Sequence, residues 1–120
     1  MKIPKADSGI TSLFQELTPT DTAVTSKKMF GQPAAFAHGN LFMGVFGESM
    51  FVRLSEPDRI EAKAKGEFVP FEPMPGRPMR EYWVFPRSMI EDPVEARRWV
   101  SRSLKYALSL PPKRAKTGSK

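Results

Sequence analysis

The sequence predicts an α+β fold: a two-layer sandwich of helices on an antiparallel sheet, in the order α-βββ-α-ββ-α. Three observations carry the prediction. Extended segments of alternating or wholly apolar character cluster at residues 23–54 and again at 67–85. Helix start and stop signals bracket three further stretches, and tight turns such as "HGN" join successive strands as antiparallel neighbours. With 120 residues, of which 40% are hydrophobic, the chain supports one core and is too short for a second globular unit.

The first element is a helix from about Ser8 to Leu17. Asp7 or Ser8 can cap it, Leu13, Phe14 and Leu17 share one face, and Pro19 ends it. "AVTSKKMFG" then alternates as a strand and stops at Gly31 and Pro33. "AAFA" and "LFMGVF" read as two apolar strands around the "HGN" turn. Alternation places Leu41, Met43 and Val45 on one face of the second and Phe42 and Phe46 on the other. "SMFVRL" follows, with Met50, Val52 and Leu54 opposite Phe51 and Arg53, and closes an antiparallel meander.

Residues 55–66 form a second helix by their punctuation. Ser55 caps it against Asp58, Pro57 lies in its first turn, Gly66 suits its end, and Ile60 and Ala64 are its expected apolar face. After a brief extended piece in "EFVPFEP", "MREYWVF" forms a stronger strand with Trp83 and Phe85 opposite Tyr82 and Val84. The last helix has Asp92 as cap and Pro93 in its first turn. Ala96, Trp99, Val100, Leu104, Ala107 and Leu108 lie on one side of it, and Arg97, Arg98, Ser101, Arg102 and Lys105 on the other. Pro111 and Pro112 stop the helix. The expected organisation is a domain over residues 1–112 and a basic disordered tail over 113–120.

Composition excludes several kinds of chemistry. No cysteine is present, so disulfide scaffolds, thiolate metal sites and cysteine nucleophiles are ruled out. His38 is the only histidine, which removes multi-histidine zinc sites; it sits beside Gly39, where a turn is the expected role, and neither a nucleophile nor an orienting carboxylate is indicated for it. The acidic residues lack metal-loop spacing, so neither a metal nor a cofactor is expected. The uncharged stretch between Lys28 and Glu48 holds Gln32, Pro33, His38, Gly39 and Asn40 near its centre, polar groups unsuited to a membrane span. The first ten residues have no apolar run of a secretory signal, and cytoplasmic residence is the expectation.

The formal charge of +6 first suggests nucleic acid, but Lys113, Arg114, Lys116 and Lys120 supply +4 of it and leave +2 on the remainder. Such a tail attracts phosphate without reading sequence. A direct nucleic-acid reading draws on Lys27, Lys28, Arg53, Arg77, Arg80, Lys113, Arg114 and Lys116, with Tyr82 and Trp83 as possible stacking rings. A protein-binding reading rests on "FEPMPGRPM". Pro73, Pro75 and Pro78 stiffen that backbone and Gly76 allows it to turn, so Met74, Pro75, Gly76, Arg77, Pro78 and Arg80 form a candidate ridge that loses little entropy on binding. A third reading is a small-molecule binder or an enzyme using a pocket between the sheet and the last helix.

Three strings, "KKMFG", "HGNLFMGVFGESMFVRL" and "FEPMPGRPMREYWVFP", closed by "WVSRSLKYALSLPPK", resemble the N-terminal domain of the TfoX/Sxy family from about Leu13 to Lys113. The resemblance implies a two-layer fold similar to secretion chaperones, often dimeric, and an association with transcriptional regulation of competence for DNA uptake alongside the cyclic-AMP receptor protein. It also implies that the named regulators carry a second, helical domain, for which this chain has no space. The leading expectation is a non-enzymatic binding and regulatory module that contacts a protein partner and self-associates as a homodimer, with nucleic-acid contact non-specific and no membrane association.

Overall fold

The computed structural model describes residues 8–29, 31–72, 76 and 79–112. The expected α+β order is present, with helix α1 (Ser8–Leu17), strands β1 (Val24–Met29), β2 (Gln32–Ala37), β3 (Asn40–Phe46) and β4 (Ser49–Arg53), helix α2 (Glu56–Lys65), strands β5 (Val69–Pro70) and β6 (Tyr82–Val84), and helices α3 (Arg87–Ile90) and α4 (Pro93–Ser109). The order divides more finely than the sequence suggests. The two apolar segments around His38 pair as separate strands, as read, so that four strands precede α2, and a single helical turn, α3, precedes α4. All pairings are antiparallel in one sheet ordered β1-β2-β3-β4-β6-β5.

Local chemistry explains the turns and caps. His38 and Gly39 have φ of 50° and 82° between the paired residues Ala37 and Asn40, the left-handed pair that a two-residue hairpin turn demands. The Ser55 side chain accepts the Asp58 N–H at the start of α2, and the Asp92 side chain accepts the Glu95 N–H at the start of α4.

The sheet has two unlike faces. On one, Phe14 and Leu17 of α1 and Ala96, Trp99, Val100 and Ala107 of α4 cover Ala35, Ala37, Phe42, Met43, Val45, Met50, Val52 and Leu54. Trp99 is the largest fully buried side chain, tilted against Phe68 at 4.8 Å between ring centroids. On the other face a smaller cluster joins Ala34, Leu41, Phe51 and Phe71, flanked by Phe36, Phe46, Met79, Tyr82 and Val84.

Two expectations are corrected. Ala35 pairs with Met43 but Phe36 with Leu41, so Phe42 is the extra residue of a β-bulge. The bulge turns Phe42 to the helix-covered side beside Met43 and Val45 and leaves Leu41 on the opposite side, where simple alternation places the two the other way round. In α2 the buried residue is Ala62, while Ile60 is 65% exposed and Ala64 lies in solvent. The helix docks through Ala62 and through ion pairs rather than through the isoleucine. The tail over 113–120 lies outside the described residues.

Candidate functional site

The second sheet face is covered by chain without regular structure. Beyond β5, Phe71 N–H donates to Tyr82 O at 2.9 Å, Met79 N–H to Phe71 O at 2.8 Å and Tyr82 N–H to Met79 O at 2.9 Å. These bonds close the base of a strap that carries the proline-rich segment. Its turn is tied across by the Gly76 N–H, which donates to the Glu72 carboxylate. Phe71 stacks on Phe51 with centroids 4.1 Å apart and planes at 13°, and Phe46 meets Phe71 edge-on at 5.4 Å. Gly44, opposite Phe51 in the ladder, makes room for this stack: a Cβ there would lie 2.6 Å from Phe51 Cζ.

At the end of β4 a polar cluster fastens the strap to the helices. Arg53 Nε donates to Glu81 Oε1 at 2.7 Å, Tyr106 Oη donates to Glu81 Oε2 at 3.1 Å, and Arg59 lies 3.9 Å from the same carboxylate. Arg53 also packs over the rings of Tyr82 and Tyr106 at 5.4 and 5.7 Å. Burial opposes the charge on Glu81, but the Arg53 hydrogen bond and charge, with Tyr106 and Arg59, outweigh it and hold the carboxyl below the usual glutamate range. Burial, then the bond to Glu81, pushes the Tyr106 hydroxyl up.

Beside the cluster, fully buried Ser103 of α4 completes the β3–β4 ladder. The ladder pairs end at Met43 and Val52. At the next position the Arg53 N–H donates to Ser103 Oγ at 3.2 Å, and the one Oγ proton is shared between the Phe42 carbonyl at 2.7 Å and the Arg53 carbonyl at 2.6 Å. A single hydroxyl thus serves the backbone of both strands one position beyond their last ladder pair.

The sequence-expected residues fall in separate places. Lys27 and Lys28 are exposed on edge strand β1, where lysine discourages further pairing, and Lys27 Nζ lies 5.8 Å from the Phe36 ring. Arg53 is three strands away, about 14 Å by strand spacing, and is engaged by Glu81. Gly76 and Arg80 are exposed at the strap, and Arg80 lines a groove beside α2. Met74, Pro75, Arg77, Pro78, Lys113, Arg114 and Lys116 lie outside the described residues. Tyr82 faces the strap cluster and Trp83 the main core.

The interface between the sheet and α4 is filled by Trp99, Val100 and Ser103, all at most 1% exposed. Grooves lie at helix margins, one of about 550 Å³ between the end of α1 and α4. Among the described residues, no three histidine, aspartate or glutamate side chains gather as a metal-ligand set, and no helix is long and apolar enough to cross a membrane. Periodicity gave no sign of Glu81, Tyr106 or Ser103 as a linked group. The available signal was a serine at a core-facing helical position, 103, in step with Ala96, Trp99 and Ala107.

These features define a class: a two-layer α+β module whose sheet is packed by helices on one side and by a tethered aromatic strap on the other. The chain belongs to the TfoX N-terminal domain family, whose family model matches residues 13–107. Membership suggests a competence-related regulatory module. A search of curated proteins returned no matching sequence.

Proposed function

We propose that the chain is a non-enzymatic regulatory module of the cytoplasm that acts by holding a protein partner against the strap and the adjoining sheet margin. The observation that carries this reading is the strap itself. The proline-rich run of the sequence, with an arginine on each side of Pro78, lies between Phe71, which stacks on buried Phe51, and Met79, whose N–H donates to the Phe71 carbonyl. Prolines restrict the backbone before binding, so a segment of this composition pays little ordering entropy when a partner docks. Any role in transcription is exerted through that partner.

The test is capture from a lysate of the source cells by the tagged full chain, with and without nuclease. The reading expects a protein retained after nuclease and lost with Arg77→Ala or Met74→Ala. Capture that disappears with nuclease, or that ignores both substitutions, overturns it. Size-exclusion of the same samples reports whether the chain self-associates.

A further inference from the structure

One surface beside the strap has a chemistry that its own fold does not use. Glu56, Arg59, Ile60, Lys63, Arg80 and Trp83 line a groove of about 280 Å³ between α2 and β6. Ile60 is 65% exposed in it, on a helix otherwise rich in charge. Around that apolar side chain stand three cations and one carboxylate. Arg59 is committed to the Leu54 carbonyl at 2.8 Å and to Glu81. Lys63 and Arg80 are exposed, and neither has an ion-pair partner among the described residues.

From this geometry we propose that the α2–β6 groove is the docking site for an acidic segment of the protein partner, one that places an apolar side chain on Ile60 and Trp83 and carboxylates against Lys63 and Arg80. This rests on the protein-partner reading above and specifies its chemistry. The charge around the groove selects an acidic ligand, and the exposed isoleucine selects a side chain over a phosphate chain, since aliphatic surface gains nothing from phosphate and much from an apolar contact. Arg80 stands at the foot of the strap, so a partner crossing the strap reaches the groove without leaving the protein surface. Lys63 lies in the last turn of α2, where the negative end of the helix dipole favours a cation.

The experiment measures binding of the full chain to three labelled probes of about twelve residues or nucleotides: an amphipathic peptide with leucines spaced three and four apart among glutamates, its lysine-for-glutamate counterpart, and a single-stranded oligonucleotide. The acidic peptide is expected to bind, more weakly as salt rises, and K63E/R80E is expected to weaken it by about tenfold or more. Ile60→Ser should weaken the same peptide without changing its salt dependence. Thermal melting of each variant checks that the fold is kept, since all three positions are exposed. Equal binding of both peptides, tighter binding of the oligonucleotide, or no effect of K63E/R80E on the acidic peptide overturns the proposal. A lysate partner that survives nuclease and is retained by K63E/R80E refutes the groove while leaving the strap reading intact; capture by neither chain refutes the strap reading.

Discussion

The two faces of the sheet bury aromatic side chains by different means. On the helix side, α1 and α4 present residues at helical spacing, and packing is shared among many elements, from Phe14 to Ala107. On the strap side, four buried residues and one irregular segment do the work, centred on the Phe51–Phe71 stack. Covering by helices spreads the packing over many side chains. Covering by a strap concentrates the packing in a few rings and leaves charged backbone-supported groups at the rim, Arg80 among them.

The comparison can be broken most forcefully on the helix side. Trp99→Ala empties the largest buried side chain and is expected to cost about 3–5 kcal/mol, read by denaturant unfolding. On the strap side, Gly44→Ala drives a Cβ into the Phe51 ring and is expected to cost about 1–3 kcal/mol. Combining it with Phe51→Leu should recover part of that loss, because the rigid ring is what the Cβ meets; strict additivity of the two changes would contradict this account.

These two positions also show what the sequence makes legible. The strand faces of 50–54 and 82–85, the caps at Ser55 and Asp92 and the helical face of α4 follow from alternation, side-chain chemistry and period, all local properties. Phe42 was misplaced because a bulge adds one residue and reverses the alternation after it, and nothing in "LFMGVF" itself marks the extra residue. Ile60 was misplaced because α2 takes its position from Ala62 and from Arg102, which lies 2.9 Å from Glu61 and 3.6 Å from Asp58. The strap's proline-rich character was legible as a candidate binding segment, but its seat on Phe51 was not, since an irregular segment has no period to reveal the face it covers.

Two smaller effects sharpen the junction between the faces. Ser103→Ala leaves the Arg53 N–H and the Phe42 carbonyl without their shared hydroxyl and is expected to cost about 1–3 kcal/mol. Glu81→Gln is expected to cost about 1 kcal/mol at neutral pH through the partly exposed Arg53 pair. The pH dependence has a definite sign. The Glu81 carboxyl is held below its ordinary value of 4.5, so its contribution is complete above that pH and disappears as pH falls through the lowered value. Stability curves of wild type and Glu81→Gln should therefore converge on acidification below about pH 4.5 and run parallel above pH 6.

The contrast between a structural face and a binding rim is tested most directly by hydrogen exchange of the full chain, alone and loaded with its nuclease-resistant partner. Added protection is expected in the segment from Phe71 to Tyr82 and in α2, with α1, β1 and α4 unchanged. Added protection concentrated in the groove between α1 and α4 or along β1, with none at the strap, would contradict the account.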